Sequence, residues 1–364
     1  MVETLGVGIV GANPERGWAR ISHVPAVQRL GGLRLAAVLG GSQASAEASK
    51  VAFGAERAYA DPDDLFRDPA VNIVTIAVRV PAHRDLALGA LWSGKHVYCE
   101  WPLGRDLAEA EELAHAARRA GRLAVIGLQG RSSPSLQRAA EMIRSGAIGR
   151  VLSGRMESGT AAFGPSTAKA ETYLEDPANG ATLVTIHAGH ALDAAIAVLG
   201  PLSNLQAMTT CQFGEVAITG ETETIARTIP DFCVTQSWLE SGAGLSVEVA
   251  GGRTEAAKFR FEVVGDRGAL TLESAAPRGF QSGRLALTVN GEQQRVDEGE
   301  LAPLPNEAVN VGAVYAALRD DIRRGSTTLP GFDHAARLTR LLADLSASSD
   351  SATRRSAETW PEGI

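Results

Sequence analysis

Three short apolar runs near the beginning of the chain constrain its fold more than any other feature. They cover residues 5–10, 33–39 and 71–80. Stretches with helical apolar spacing separate them, at residues 21–30 and 44–53, and strand and helix patterns continue to an apolar run at 123–128. Buried strands that alternate with helices are typical of a doubly wound parallel sheet. We therefore predict an N-terminal α/β domain over residues 1–128.

The pattern changes after residue 128, because most strand-like segments now follow one another without a helix between them. These segments cover residues 151–158, 205–212, 232–240, 245–250, 258–265, 268–273 and 285–290. Helical patterns cover residues 134–145, 181–199, 311–325 and 332–346. Closely spaced strands indicate an antiparallel or mixed sheet. Residues 129–364 are therefore predicted to form a second domain of the α+β class.

The composition is that of an ordinary globular protein. Of the 364 residues, 45% are hydrophobic and 21% are charged, and the formal net charge is -7. The length exceeds what one hydrophobic core usually serves, which favours two domains. An acidic chain without a basic stripe is not expected to bind nucleic acid directly.

The cysteines and the N-terminus favour a cytoplasmic protein. Cys99, Cys211 and Cys233 show no paired spacing, so a disulfide framework is not expected. The chain does not open with a basic segment followed by an apolar run. No apolar stretch reaches about 18 residues without a charge or a turn-forming residue, so no membrane partner is expected.

A glycine-rich segment follows the first apolar run and reads Gly-Ile-Val-Gly-Ala-Asn-Pro-Glu-Arg-Gly-Trp-Ala over residues 8–19. Glycines between a strand and a helix let backbone amides approach a pyrophosphate at the helix N-terminus. Gly11 fits the dinucleotide pattern, Asn13 replaces its second glycine, and Gly17, followed by Trp18, comes one residue late. An ordinary strand-to-helix turn is the alternative. The position at the head of a βαβαβ series favours a Rossmann domain that binds NAD or NADP.

The end of the second strand bears on the choice between NAD and NADP. Dinucleotide folds usually place an acid there to bind the adenosine ribose hydroxyls. This chain has Gly-Gly-Ser at 40–42, and no acid follows before Glu47. Ser42, helped by Arg16 or Lys50, would tolerate a 2′-phosphate. The sequence therefore favours NADP over NAD.

Several segments combine into a longer pattern. They are the glycine turn with His23 and Pro25 after it, Val-Arg-Val-Pro-Ala-His at 78–83, Gly-Lys-His-Val-Tyr-Cys-Glu-Trp-Pro-Leu at 94–103, Gln-Gly-Arg at 129–131, Ile-Arg-Ser-Gly-Ala-Ile-Gly at 143–149, and Gly189-His190 followed by Asp193. Over nearly the whole chain the combination resembles the glucose-fructose oxidoreductase, inositol dehydrogenase and rhizopine catabolism family, usually written Gfo/Idh/MocA.

The resemblance implies a Rossmann domain plus a C-terminal domain with a large, open, mostly antiparallel sheet. It implies NAD or NADP as cofactor, a sugar, polyol or related small alcohol as substrate, and a homodimer or homotetramer formed through the C-terminal sheet. The residues expected to bind the cofactor are Gly11, Asn13, Gly17, Trp18, Ser42, Val78, Pro81, His83, Glu100, Trp101 and Gln129. Among them, Glu100 would hold the nicotinamide ribose and Trp101 would wall the site.

Two signatures of the family are altered in this chain. Family enzymes typically carry Glu-Lys-Pro, whose lysine takes part in proton transfer, whereas this chain has Glu100-Trp101-Pro102. Tryptophan cannot exchange a proton at neutral pH. In the second signature, Asp-x-Gly-x-His-x-x-Asp, only His190 and Asp193 match.

The predicted catalytic residues are therefore His190, Asp193 and His187. On a helix the three positions lie at i, i+3 and i+6, roughly on one face. A histidine could accept the hydroxyl proton while hydride leaves the same carbon. The alternative is that these are hydrogen-bonded helix residues without a catalytic role. A metal site is not expected, because no further Cys or His has ligand spacing.

The same departures resemble a regulatory branch of the family, the fungal repressors of the galactose regulon. Shared features include the Asn of the glycine turn, Glu-Trp in place of Glu-Lys, and Leu183-Val184-Thr185 before Gly189-His190. That branch keeps the dinucleotide site but is thought of as regulatory. Two functions stay open: an NAD(P)-dependent oxidoreductase, which we favour, and a catalytically silent dinucleotide sensor that acts on a protein partner.

Overall fold

The computed structural model describes residues 4–253 and 258–351. Its first elements are β1 (Leu5–Val10), α1 (Trp18–Ile21), α2 (His23–Arg29), β2 (Leu33–Leu39), α3 (Gln43–Phe53), β3 (Arg57–Tyr59), α4 (Pro62–Arg67), β4 (Ile73–Ile76), α5 (His83–Trp92), β5 (His96–Glu100), α6 (Leu107–Ala120) and β6 (Ala124–Gly127). The six strands form one parallel sheet in the order β3-β2-β1-β4-β5-β6. The predicted Rossmann sheet is confirmed, and its winding reverses between β1 and β4, where such folds bind ligands.

The sequence analysis does not predict two short elements of the first half of the chain, one strand and one helix. The strand β3 spans only Arg57–Tyr59, and the helix α4 spans only Pro62–Arg67. Neither is long enough to show a clear period of apolar residues. The apolar run at residues 71–80 therefore supplies the fourth strand of the sheet, of which Ile73–Ile76 is extended.

The second half of the chain forms a larger sheet. The elements of this half are α7 (Pro134–Arg144), β7 (Val151–Gly159), β8 (Ser166–Thr167), α8 (Gly189–Leu199), β9 (Gln206–Thr210), β10 (Glu215–Ile218), β11 (Thr224–Ala226), β12 (Phe232–Trp238), β13 (Gly244–Ala250), β14 (Phe259–Gly265), β15 (Gly268–Ser274), β16 (Ala286–Val289), β17 (Glu292–Gln293), α9 (Val309–Arg324) and α10 (Phe332–Ser351). The strands β11, β10 and β8 form a separate three-stranded sheet. Eight strands pair in the order β17-β16-β15-β14-β7-β13-β12-β9. All of these pairs are antiparallel except β7 with β13, which confirms the predicted mostly antiparallel sheet.

The two faces of the large sheet differ in polarity. The inner face buries apolar side chains such as Met156, Val247 and Phe261. The outer face mixes ion pairs, among them Arg260 with Glu273 at 2.6 Å, with exposed apolar side chains such as Trp238. Assembly through this face stays a prediction.

The last two helices pack back on the first half of the chain. The buried side chains of α9, including Val311 and Tyr315, join the core that contains Val7 and Ile9 of β1. The helix α10 packs on α6 and on β9. The predicted division at residue 128 stays a prediction, but α9, which it placed in the second domain, contributes to the core of the first sheet.

One segment of the described chain, Pro177–Leu199, is long and apolar enough to cross a membrane by length and composition. Asn179, Gly180 and Asp193 interrupt its apolar character. Inside the fold, 67% of its most apolar window is buried. It serves this fold as an internal segment, and α8 forms its second part.

Candidate functional site

The turn after β1 approaches the loop after β4 so closely that only glycine fits at Gly11. Its φ is +94°, and a Cβ atom there would lie 2.4 Å from the Ala77 carbonyl oxygen and 2.8 Å from Cγ1 of Val78. Glycine adopts this conformation without steric cost. Gly11 and Val78, both predicted to bind the cofactor, are thus neighbours at the carboxyl ends of the central strands.

Asn13 closes the glycine-rich loop with its own side chain. Its Oδ1 accepts hydrogen bonds from the backbone N–H groups of Glu15 at 2.9 Å and Arg16 at 3.2 Å. Asn side chains stabilise turns in this way, so the loop forms without the second glycine of the usual pattern. The Ser49 hydroxyl donates to the Ala12 carbonyl oxygen at 2.8 Å and fixes the loop to α3.

Gly17 and Trp18 end the loop. Gly17 has a φ of +95° with no atom within 4 Å of where a Cβ would lie, so its conformation rather than crowding favours glycine. Trp18 begins α1, and its indole Nε1–H is buried without a hydrogen-bond partner among the described residues. Because buried donors normally have a partner, this N–H is available to a ligand or to water.

A cavity of about 360 Å³ lies beside this turn, between the ends of β1 and β2. Its walls include Gly11, Asn13, Gly40, Gly41, Ser45 and Val78. None of the described residues that line it is acidic. Ser42 does not line the cavity. It is exposed, and its Oγ caps α3 by accepting from the Ser45 backbone N–H at 3.2 Å. Exposed glycine backbone and hydroxyl groups fit the adenosine and phosphate portion of a dinucleotide. We refer to this cavity as the dinucleotide cavity.

The loop after β4 carries Val78, Pro81 and His83. Pro81 is exposed, whereas His83 is buried. The His83 ring lies between two backbone carbonyl oxygens, with Nε2 3.0 Å from Val78 and Nδ1 2.8 Å from Pro102. Burial lowers the pKa of His83, and a neutral imidazole donates through only one nitrogen at a time. His83 therefore donates to one of these two carbonyl oxygens at a time, and its ring lies between the segments that follow β4 and β5.

Glu100, at the end of β5, belongs to a buried chain of hydrogen bonds. Its Oε1 lies 3.1 Å from Nε2 of His23, whose Nδ1 lies 3.0 Å from the Tyr315 hydroxyl. The same hydroxyl lies 2.7 Å from Oγ1 of Thr75. The chain fixes the orientation of Glu100. Gln129, after β6, is also buried, and its Oε1 has no partner among the described residues.

Trp101 joins the two halves of the molecule. It is 6% exposed, and its Nε1–H donates to the Thr185 carbonyl oxygen at 2.7 Å. The ring also packs on Gly189, where a Cβ atom would lie 2.6 Å from Nε1. In this chain the lysine position of the family therefore holds a buried indole whose only polar group is already bonded.

The three predicted catalytic residues are not joined to one another. A π-helix over Leu183–Ala188 precedes α8 and shifts the positions away from regular helical spacing. His190 is buried, and its Nδ1 has no hydrogen-bond partner among the described residues. Asp193 is engaged by other groups, because its Oδ1 lies 2.8 Å from Nη1 of Arg131 and 2.6 Å from Nε2 of His334.

Burial determines the protonation of both histidines. It lowers the pKa of His187 to about 4 and that of His190 to about 3, and the proximity of His187 adds to the shift of His190. Both imidazoles are neutral at pH 7 and can accept a proton. Within residues 4–253 and 258–351, no group of three or more His, Cys, Asp or Glu side chains is arranged to hold a metal ion.

Sequence reasoning missed the segment that covers His187. The Phe163 ring packs edge-on against His187 at 5.9 Å, and Phe163 has a φ of +59°, which is uncommon for a bulky residue. Arg227 donates to the Phe163 carbonyl oxygen at 2.8 Å and pairs with Glu175 at 2.7 Å. Phe163 and Glu175 are distant from Arg227 in sequence, so no local pattern predicts these two contacts.

Contacts of Arg79 join the segment over residues 160–182 to the parallel sheet. The Arg79 guanidinium lies 4.3 Å from the centre of the Tyr173 ring and donates to the Ala170 carbonyl oxygen at 2.7 Å. Arg79 belongs to the loop after β4, beside Val78. The segment over residues 160–182 is thus held against the same loops that line the dinucleotide cavity.

Two family models match the chain. Residues 5–128 match the oxidoreductase family with an NAD-binding Rossmann fold. Residues 134–274 match the C-terminal domain of Gal80p.

The curated relatives include enzymes and regulators. The dehydrogenase aclE of Aspergillus oryzae is 38% identical over 181 residues, which is 49% of this chain and 49% of that protein. The galactose/lactose metabolism regulatory protein GAL80 of Saccharomyces cerevisiae is 28% identical over 323 residues, which is 82% of this chain and 74% of that protein. The first alignment thus spans about half the length of the enzyme.

Solved structures share the fold along almost the whole chain. A super-repressor mutant of Gal80p from Saccharomyces cerevisiae has a TM-score of 0.84 at 24% identity, over 95% of this chain and 96% of that one. Levoglucosan dehydrogenase in complex with NADH and L-sorbose has a TM-score of 0.80 at 20% identity, over 95% and 97%. With its glycine turn, its two sheets and both family models, this chain is a member of the Gfo/Idh/MocA oxidoreductase family, close to the Gal80 branch.

Proposed function

We propose that this protein is an NAD(P)-dependent oxidoreductase that acts on a sugar, a polyol or a related small alcohol, with His190 as the proton acceptor. The observation that carries the proposal is the state of His190, a buried imidazole whose Nδ1 has no hydrogen-bond partner among the described residues. Dehydrogenases among the relatives support the class of reaction.

The residues around the glycine turn would hold the dinucleotide. Gly11, Asn13 and Val78 line the cavity for its adenosine and phosphate portion, and Glu100, oriented by His23, stands at the end of β5 for the nicotinamide ribose. A bound nicotinamide supplies hydride transfer to or from the substrate carbon. Every other part of the reaction falls to side chains of this chain.

His190 would accept the proton of the substrate hydroxyl through its neutral imidazole. General bases work best when their pKa lies near the working pH. A histidine with a pKa of about 3 is a weak base, so we expect slower turnover than in relatives that carry a lysine. Trp101 and Phe163 supply apolar surfaces near α8 that exclude water from the proton transfer.

Between NAD and NADP, we propose NADP as the cofactor. The end of β2 carries no acid, and Glu47, the first carboxylate after it, is paired with Lys50 at 3.3 Å. An acid that binds both ribose hydroxyls is the usual reason for a preference for NAD. Its absence from the described cavity walls leaves room for a 2′-phosphate.

One observation favours a second function, a catalytically silent dinucleotide sensor that acts on a protein partner. The Trp101 N–H is fully engaged by the Thr185 carbonyl oxygen, so the position of the family lysine serves packing in this chain. The similarity to GAL80 covers more of the chain than the similarity to the dehydrogenase. A sensor would keep the dinucleotide cavity and lose turnover.

A steady-state assay separates the two functions. Purified protein is incubated with NAD+ or NADP+ and a panel of aldoses and polyols, while the absorbance of the reduced nicotinamide is followed. The oxidoreductase proposal predicts turnover with at least one alcohol. Saturable dinucleotide binding without turnover across the panel would assign the protein to the sensors, and a trace of activity in Trp101→Lys would support that assignment.

A further inference from the structure

A second cavity, of about 700 Å³, lies between α6, α7 and the beginning of α10. It shares no lining residue with the dinucleotide cavity. Five arginines line it: Arg118, Arg122, Arg131, Arg144 and Arg337. We refer to it as the basic cavity.

The charge of the basic cavity is not balanced by its walls. Asp333, paired with Arg118, is the only carboxylate among the described lining residues, so five arginines and one aspartate leave a formal charge of +4 on the walls, of which Asp193, outside the lining, offsets that of Arg131. Among the described residues, the ion pairs of the lining arginines are those of Arg118 with Asp333 and of Arg131 with Asp193, and neither includes Arg122, Arg144 or Arg337. Positive charges gathered at one site repel one another unless an anion is bound. This concentration stands out in a chain whose net charge is -7.

We propose that the basic cavity binds a small, multiply charged anion that carries phosphate groups. Planar guanidinium groups bind phosphate oxygens in pairs, which makes arginine the preferred residue for such ligands. The first N–H groups of the 20-residue helix α10 lie at the same cavity and add positive potential. A cavity of this volume fits a metabolite-sized ligand. Nucleic acid would need an extended basic surface on the outside of the protein instead.

The basic cavity reaches the proposed proton acceptor through α8. Arg131 and His334 line the cavity, and both contact Oδ1 of Asp193, at 2.8 Å and 2.6 Å. Asp193 follows His190 by one turn of α8. A bound anion therefore shares Arg131 with Asp193 and adjusts the position of His190. This coupling, unlike the binding itself, rests on the proposed function.

The test measures binding of inorganic pyrophosphate by calorimetry, with sulfate and chloride compared at equal ionic strength. The double variant Arg122→Gln/Arg337→Gln removes two unpaired arginines from the cavity. Its matched control, Arg119→Gln/Arg340→Gln, removes the same charge from α6 and α10 outside the cavity. We expect the Kd for pyrophosphate to rise roughly tenfold or more in the first variant and less than about twofold in the control.

Because neither Arg122 nor Arg337 lines the dinucleotide cavity, a selective loss in the first variant locates the anion. Equal losses in both variants would overturn the proposal, and so would pyrophosphate binding no stronger than that of sulfate. Binding of an oligonucleotide but not of pyrophosphate would overturn the small-ligand assignment. These measurements need no substrate, so their outcome is independent of turnover. Where turnover is present, a pyrophosphate effect that is absent from the first variant supports the coupling, and no effect in the wild type overturns it.

Discussion

The two ends of the candidate site are built in different ways. At the adenosine end, backbone geometry forms the cavity: Gly11 at a positive φ, Gly40 and Gly41 after β2, and a loop closed by Asn13. The proton-handling end comprises Trp101, His187, His190 and Asp193. There the side chains determine the chemistry, and Trp101 and Asp193 are both hydrogen-bonded to other groups. Dinucleotide binding can therefore survive substitutions that remove or reshape catalysis. The predictions below test this difference.

The largest expected effect comes from Gly11→Val, which places a side chain where the turn meets Ala77 and Val78. We expect the Kd for NADPH to rise roughly 100-fold or more, about 2.7 kcal/mol, because the turn must move away from the cavity. Gly17→Ala is the matched control, since Gly17 has the same sign of φ but open space around it. Fluorescence titration measures both. Equal losses in the two variants would show that backbone conformation alone, and not the close approach, shapes the cavity.

The proton-handling end should make the fold sensitive to acid. Below the usual histidine pKa of about 6.5, the unfolded chain takes up protons that His187 and His190 do not take up in the folded state, so the free energy of unfolding falls. The loss levels off only as the pH falls through their folded pKa values, about 4 and about 3. Lowering the pH from about 6.5 to about 5 should cost roughly 1.6 kcal/mol for each histidine.

Urea unfolding at the two pH values measures this effect. In His187→Leu/His190→Leu the pH-dependent loss should shrink, whereas in His115→Leu, which changes an exposed histidine of α6, it should stay as in the wild type. An unchanged pH dependence in the double variant would mean that the two histidines are not held neutral by the fold.

Ser42→Asp tests the adenosine end with a smaller change. Aspartate caps a helix as well as serine does, so α3 should be kept. The new carboxylate should accept hydrogen bonds from the ribose hydroxyls and repel a 2′-phosphate. The ratio of NADPH to NADH affinity should fall about tenfold, or 1.4 kcal/mol, in competition calorimetry. Ser42→Asn, without the charge, should leave the ratio unchanged. A wild type that already binds NADH tenfold more tightly would contradict the proposed preference.

Trp101→Phe has the smallest expected effect. It removes the hydrogen bond to the Thr185 carbonyl oxygen while an aromatic ring stays against Gly189. The free energy of unfolding should fall by about 1 kcal/mol, with dinucleotide affinity unchanged. Trp92→Phe, at an exposed position, should change stability by less than about 0.5 kcal/mol. A large loss of dinucleotide affinity in Trp101→Phe would place Trp101 at the cofactor rather than at the joint between the two halves.

Local patterns in the sequence predict most of the fold and the adenosine end. The apolar runs predict β1, β2, β4 and β6, and each alternating segment of the second half contains a strand of the large sheet. Gly11 and Val78 can be predicted because both follow strands whose carboxyl ends meet at one edge. The short strands β8 and β10 carry too little alternation to be recognised.

The proton-handling end could be predicted only in part. The motif with His190 indicates that residue, but the i, i+3, i+6 spacing assumed a regular α-helix, and the π-helix before α8 changes it. The partners of Asp193 come from Arg131 and His334, and the partner of His23 comes from Tyr315. Contacts between residues this far apart depend on the packing of α9 and α10, which no local pattern specifies.

The most direct test of the account measures NADPH affinity and turnover side by side in the wild type and in His190→Ala. We predict that turnover falls roughly 100-fold while the Kd for NADPH changes less than about twofold, because the proposal assigns the proton transfer to His190 and His190 does not line the dinucleotide cavity. His115→Ala, at an exposed histidine, should change neither quantity. Robust wild-type turnover that survives His190→Ala would contradict the assignment of His190 as the proton acceptor.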